Sequence, residues 1–311
     1  MTHRDSIAMG KGAEFDAIRR MVARWGKFAS GIGDDAAILD VPRGERLVAS
    51  VDAFVEDVHF RRAWIDAREV GYRAATAALS DIAAMAATPI GLLFAIDLPD
   101  QWIESLDDIA EGVREAVEAA GTVIVGGNIS AGTDLSITTT VLGHALAPLT
   151  RSGAKPGDRL YVTGELGGPA AAIRAWNAGR QPAAADRERF AQPQARVREA
   201  RILADHGARA AIDISDGLGS DLDHLAAASG VSFSVQLEKV PVVAGVAVED
   251  AMKSGEEYEL LVAAPGLDVA ALSARLGCRL TEIGVVGESG PGSYTMKGSP
   301  AFVLPGHSHL T

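Results

Sequence analysis

Two carboxylates stand side by side in "GIGDDAAIL", Gly31 to Leu39. Asp34 and Asp35 repel each other unless something positive or several hydrogen-bond donors lie between them. Glycine and aspartate are ordinary turn residues, so a solvated turn is one reading. The other is a hard divalent cation, which takes oxygen ligands from grouped carboxylates. Further along, Asp52 follows the apolar "LVASV", and Asp81 lies in "AALSDIAAMAA" with Ala, Leu and Met around it. Asp213 and Asp216 bracket Ser215 in "AIDISDGLGSD". A carboxylate in apolar surroundings is costly without a cation or several hydrogen bonds, and the set as a whole points to metal. In "DISDG", Ser215 or Asp216 as the cap of a following helix is the competing structural role. The same helix N-terminus, left open, suits a phosphate oxygen.

Other chemistries find little support. The chain has no GxxxxGK[ST] loop, no HExxH and no GxSxG elbow. "GELGG" after "RLYVT" resembles a dinucleotide-binding turn in part, lacks its spacing and later acidic partner, and reads as a tight turn. Cys278 is the only cysteine, which removes disulfides, cysteine zinc clusters and CxxC redox pairs. His59, in "VEDVHF", says little by itself.

The elements that must position these residues follow from periodicity. "EFDAIRRMVARWG" predicts a helix ending at Gly26, and "RLVASVDAFV" a strand. Ala67 to Ala87 predicts a helix stopped by Pro89. "LLFAIDLP" predicts a strand, Trp102 to Ala120 a helix, and "TVIVGG" and "LSITTTVLGHAL" two more strands. The turn-rich "TRSGAKPGD" marks a domain boundary, giving domains of residues 1–149 and 150–311. Beyond it, "RLYVTGELGGPAAAIRAW" and "AAIDISDGLGSDLDHLAAASG" each read as strand, turn, helix. The strands "VSFSVQL", "EYELLVAA" and "LTEIGVVGE" follow, with a helix at Val269 to Leu276 between the last two. Two α+β domains is the expected fold class.

At 311 residues the chain is long for one core, and 48% hydrophobic with 23% charged residues is an ordinary globular balance. A net charge of -12 argues against a general nucleic-acid binder, but not against a phosphate ligand neutralised by metal. The N-terminal "MTHRDSIAMGKGAEFD" lacks an apolar core of signal-peptide length, and no run approaches a membrane span. A cytoplasmic protein without membrane or nucleic-acid partners is expected.

Taken in order, "EFDAI", "GIGDDAAIL", "VDAFVEDVHF", "LSDIAAMAATP", "VGGN", "LTRSGAKPGDRLYVTG", "AIDISDGLGSDLDHL" and "SGEEYELL" resemble the thiamine-monophosphate kinases. These belong to the ATP-binding superfamily that includes aminoimidazole ribonucleotide synthetase. The resemblance covers nearly the whole chain. It implies an N-terminal α/β domain that forms a β-barrel across a homodimer, a C-terminal α/β domain, and ATP with several Mg²⁺ ions in the cleft between them. Carried over by position, Asp35, Ser50, Asp52, Asp81, Asp213 and Asp216 resemble the metal ligands, and the five aspartates the catalytic set. Gly127, Arg151 and Ser215 resemble ATP contacts, and His59 and Glu256 substrate contacts. Asp34 accompanies the set, ranked below Asp35.

The implied reaction moves the γ-phosphoryl group of ATP onto thiamine monophosphate by direct in-line transfer. Its difficulty is repulsion between polyanions, which metal held by carboxylates relieves. Three positions depart from the family pattern. Asn128 stands where an aspartate ligand is expected and offers metal and ATP only a neutral carbonyl. Val51 replaces a hydroxyl. His307, in "GHSHL", takes the place of an aromatic that stacks on the substrate. An ATP-binding relative with a changed acceptor or lost catalysis is the alternative. Selenophosphate synthetase needs a reactive cysteine or selenocysteine near its N-terminus, and the hydrogenase-maturation relative a C-terminal cysteine; this chain has neither.

Overall fold

The computed structural model describes residues 13–33, 35–289 and 293–297, with side chains described from residue 15 to residue 288. Asp34 and His307 therefore lie outside the described residues. The fold is mixed α+β in two units. Residues up to Ile82 with Ala87–Ala147 make the first, and Ala83–Ala86 with the chain from Pro148 onward make the second.

In the first unit the elements are α1 (Ala13–Trp25), β1 (Arg46–Val55), α2 (Ala67–Ala84), β2 (Thr88–Leu98), α3 (Leu106–Ala120), β3 (Ile124–Ala131) and β4 (Ser136–Ala145). The sheet order is β1-β4-β2-β3, antiparallel except for the parallel pair β2 and β3. Within this chain the sheet is open, not closed into a barrel. Burial alternates along β1: Ser50, Asp52 and Phe54 lie on the more covered face, while Leu47 and Val51 on the other are 55% and 63% exposed. Thr139 Oγ1 donates to the carbonyl of Ala74 at 2.8 Å, tying α2 to the covered face. Asp66 and Glu69 cap each other's backbone N–H groups at 2.9 Å, a reciprocal box that starts α2.

Two predicted boundaries move here. Pro89 does not end α2. The helix closes at Ala84, where Ala86 takes a left-handed φ of 50° and the Ala87 N–H bonds back to the Ile82 carbonyl at 3.1 Å. Pro89 then falls at the beginning of β2, where a strand tolerates the missing donor. Trp102 lies in a 3-10 turn at Asp100–Ser105 that precedes α3.

In the second unit the elements are β5 (Arg159–Thr163), α4 (Gly168–Asn177), α5 (Ala184–Ala191), α6 (Val197–Asp205), β6 (Ala210–Asp213), α7 (Leu218–Ser229), β7 (Val231–Gln236), α8 (Val248–Ala251), β8 (Leu260–Ala264), α9 (Val269–Leu276), β9 (Leu280–Ser289) and β10 (Ser293–Lys297). The sheet order is β10-β7-β9-β5-β8-β6. Its core packs Leu160, Val162, Ile212, Leu261 and Ile283 of the strands against Leu218, Leu222 and Leu225 of α7. The pattern "EYELLVAA" yields a strand only from Leu260, because Glu256 and Tyr258 adopt left-handed φ values of 56° and 54°. α5 and α6 escape the periodicity reading, since Pro182 and Pro193 break "QPAAADRERFAQPQARV" into short segments.

The helix that carries Asp81 is held by close backbone approach. A Cβ on Gly112 of α3 would lie 1.8 Å from the Arg68 carbonyl of α2, and one on Gly71 would lie 2.0 Å from the Ile109 carbonyl. Neither backbone can yield without separating the helices. Gly112→Ala is expected to cost about 1–3 kcal/mol or more, as overpacking does. Urea unfolding measures it; an unchanged midpoint contradicts the tight α2–α3 contact.

Candidate functional site

The first unit brings together Ser50, Asp52 and Asp81. β1 points Ser50 and Asp52 toward α2, and the Ser50 hydroxyl donates to the Asp81 carboxylate. Both aspartates are half-buried, and the Asp52 carboxylate accepts the Ala53 N–H at 2.9 Å. Register places Asp52 in one row with Thr139, Phe94 and Gly127. A side chain at Gly127 is excluded, because its Cβ would lie 1.8 Å from the Phe94 carbonyl. Asn128 falls in the neighbouring row, with Ala95, Thr138 and Ala53, so the pleat turns it to the face opposite Asp52. Asp35 is exposed after a turn whose Gly31 and Gly33 have φ of 65° and 121°. His59 Nδ1 accepts the Val55 N–H at 3.0 Å, which leaves the neutral ring's proton on Nε2, and Phe54 lies against the ring.

The second unit brings together Asp213, Ser215, Asp216 and Glu256. Asp213 ends β6 and is buried, with only 3% exposed; Ser215 and Asp216 are half-buried in the turn before α7. Neither of them caps that helix. Gly217, at φ 104°, occupies the N-cap position without a side-chain bond, so the helix N-terminus carries no side-chain acceptor. The strand-like "GEEYE" segment is clasped against this turn by backbone bonds. Ser215 O accepts the Glu256 N–H at 2.7 Å, Ile214 O the N–H groups of Glu257 and Tyr258, and Glu259 O the Ile214 N–H at 2.7 Å. Arg151 is exposed on a loop whose carbonyl accepts the Ser229 hydroxyl at 2.6 Å.

Sequence reasoning missed three acidic residues and their partners. Asp221, one turn into α7, is fully buried, and neither carboxylate oxygen has a hydrogen-bond partner among the described residues. Burial first, then the charges of Asp213 and Asp216, push the Asp221 pKa up to about 8. Its signal was available: "SDGLGSD" sets Asp221 one helical turn beyond the glycine cap. Glu259 is clamped by Arg196 through Nε at 2.8 Å and Nη2 at 2.5 Å, and accepts the Thr163 hydroxyl at 2.6 Å. Glu257 accepts the Gly167 N–H at 2.5 Å, and its burial raises the pKa to about 8. No spacing rule marks which of the three glutamates in "GEEYE" turn inward.

The donors are all hard oxygens: carboxylates, one hydroxyl and one amide carbonyl. That set suits Mg²⁺ and not a soft metal. Among the described residues, no three His, Cys, Asp or Glu side chains stand close enough to hold an ion by themselves. Mg²⁺ fits this, because it usually takes one or two carboxylates and fills its shell with water and substrate phosphate.

The family model for the N-terminal domain of AIR synthase related proteins matches residues 33–145, and that for their C-terminal domain matches residues 155–297. The thiamine-monophosphate kinase of Escherichia coli O157:H7 is 37% identical over 267 residues, covering 79% of this chain and 80% of that protein. A crystal structure of thiamine-monophosphate kinase from Stenotrophomonas maltophilia K279a is 31% identical, with a TM-score of 0.81 over 93% of this chain and 98% of that one. AaThiL complexed with AMPPCP and TMP is 29% identical, with a TM-score of 0.75 over 94% of each chain.

Glu257 generates a pH prediction. Folded, it keeps a proton that the unfolded chain releases above its ordinary 4.5, so its contribution to stability falls as pH rises toward about 8. Glu257→Gln removes that loss and retains an acceptor for Gly167. The melting temperature of the variant minus that of the parent should therefore grow between pH 5 and pH 8.5. A constant difference contradicts the raised pKa.

Proposed function

Because the chain belongs to the thiamine-monophosphate kinase family, we propose that it transfers the γ-phosphoryl group of ATP to thiamine monophosphate, giving thiamine diphosphate and ADP. The observation that carries this reading is Asp221, fully buried with neither carboxylate oxygen bonded among the described residues and its pKa raised by burial and by the charges of Asp213 and Asp216. A structural neighbour that holds AMPPCP and TMP supports the choice of substrates.

The acceptor needs little activation. A phosphate monoester has its second pKa near ~6, so it is already largely dianionic at neutral pH. What remains is positioning and charge neutralisation. Bound Mg²⁺ supplies positive charge to the phosphoryl oxygens. In the first unit Asp35, Ser50, Asp52 and Asp81 would hold such ions, and in the second unit Asp213 and Asp216 would do so. Asn128 contributes only a neutral carbonyl and, on its face of the sheet, is the weakest candidate of the set. Gly127 lets the β3 backbone approach the nucleotide, the open N-terminus of α7 beside Ser215 receives a phosphate oxygen, and Arg151 adds a planar cationic fork. His59 and Glu256 orient the acceptor.

The reading carries with it a cytoplasmic homodimer. The exposed Leu47 and Val51 on the open face of β1 support pairing of that sheet with a second copy into the barrel of the family. No helix among the described residues is long and apolar enough to cross a membrane.

With ATP, Mg²⁺ and thiamine monophosphate, the protein should form thiamine diphosphate. Asp81→Asn and Asp213→Asn should each lower turnover by a factor of at least about 10² while keeping the parent's melting profile, since each removes a charge from the site and not a packing contact. No product from the parent overturns the acceptor. Parent-like turnover in both variants overturns the role given to the carboxylates.

A further inference from the structure

In the first unit, His59 sits in a turn that closes on itself. The Val55 N–H donates to Nδ1 of the ring at 3.0 Å, and the Val55 carbonyl accepts the His59 N–H at 2.9 Å. The Asp57 N–H reaches the Phe60 carbonyl at 2.7 Å, with Asp57 at a left-handed φ of 62°. A residue other than glycine keeps that conformation where its surroundings over-determine it. Here the surroundings are a row of aromatic rings. His59 lies 5.5 Å from Phe54, Phe54 stacks on Phe60 at 4.9 Å and 9°, and Phe60 meets Trp102 nearly perpendicular at 6.2 Å and 75°. Phe54, Phe60 and Trp102 are buried, and Phe54 follows Asp52 on the covered face of β1. One bond ties the end of the row back to the turn: Trp102 Nε1 donates to Glu56 Oε2 at 2.8 Å. Arg62 covers the indole at 4.8 Å and donates to the Gln101 carbonyl at 3.1 Å.

We propose that Glu56 and Trp102 are positioning residues, whose bond holds the turn at 55–60 so that His59 presents its Nε2 proton in one fixed place. The inference rests on the kinase reading above, in which His59 orients the acceptor, and adds what orients His59. A backbone donor occupies Nδ1, so the neutral ring offers Nε2–H alone, a donor suited to an anionic oxygen. Phe54 sets that ring beside the face of β1 that carries Asp52. Phosphoryl transfer depends on positioning, and a contact displaced by about 1 Å loses much of its effect. Glu56 and Trp102 act through the ring: one fixes the start of the turn, the other the end of the aromatic row.

Three variants separate this role from packing. Glu56→Ala removes the acceptor, Trp102→Phe removes the donor but keeps an aromatic ring, and Glu56→Gln keeps a carbonyl for the indole. Hydrogen exchange at the Val55 and His59 amides, read by NMR, reports the turn. Steady-state kinetics with both substrates varied reports what the turn does. In Glu56→Ala and Trp102→Phe both amides should exchange roughly tenfold faster or more, with the amides of β4 unchanged. The kcat/KM for thiamine monophosphate should fall by roughly tenfold or more, with the KM for ATP unchanged. Glu56→Gln should restore both. Glu56 is only half-buried, so its variants keep the fold even if Trp102→Phe does not. Parent-like exchange in Glu56→Ala overturns the proposal and leaves the kinase reading standing. Fast exchange without a fall in kcat/KM, a loss that Glu56→Gln does not restore, or an equal rise in the KM for ATP also overturns it. A parent that turns over no thiamine monophosphate fails the kinase reading instead; the exchange rates at Val55 and His59 then decide whether the bond holds the turn.

Discussion

Four backbone hydrogen bonds between the "DISDG" turn and the "GEEYE" segment fix most of what the second unit can do. They hold Ile214 and Ser215 against Glu256 to Glu259, and so set the end of β6 against the beginning of β8. The cost is visible in the backbone, where Glu256 and Tyr258 are forced into left-handed φ. The return is that alternate residues of one short segment face different tasks. Glu257 and Glu259 turn inward, toward the Gly167 amide and the Arg196 guanidinium. Glu256 stays half-buried beside Ser215.

The same clasp explains an arrangement that stability alone would not favour. Asp213 and Asp221 are buried close to Asp216, and a carboxylate is costly to bury without a cation. In the first unit the Ser50 hydroxyl donates to Asp81, and the Ala53 N–H donates to Asp52. Asp221 is a buried carboxyl group with neither oxygen bonded among the described residues, set beside like charges against the second unit's own electrostatic interest. That is the usual signature of a site whose counter-charge arrives with the ligand.

Much of this was legible in the residues. β1 and α9 have the bounds that their periodicity predicts, and two α+β domains follow from the run of strands and helices. The acidic positions could be read because polar residues in apolar strings stand out, as Asp81 does in α2 and Asp213 at the end of β6. What could not be read depends on tertiary contact. The stop of α2 is made by a left-handed Ala86, a residue without turn preference. The inward turn of Glu257 and Glu259 needs Arg196 and Gly167, which lie 63 and 90 residues away in sequence. The side of the sheet taken by Asn128 depends on a register shift between Leu92 and Leu93, which no local pattern encodes.

If these carboxylates hold Mg²⁺ on ATP, nucleotide affinity must depend on the metal. Calorimetric titration of AMPPCP into the protein, once with Mg²⁺ and once with excess chelator, tests it without depending on turnover. Removing the metal should weaken binding by at least about tenfold, because ATP's phosphates then face the site's carboxylates without it. Equal affinity in the two titrations would contradict it.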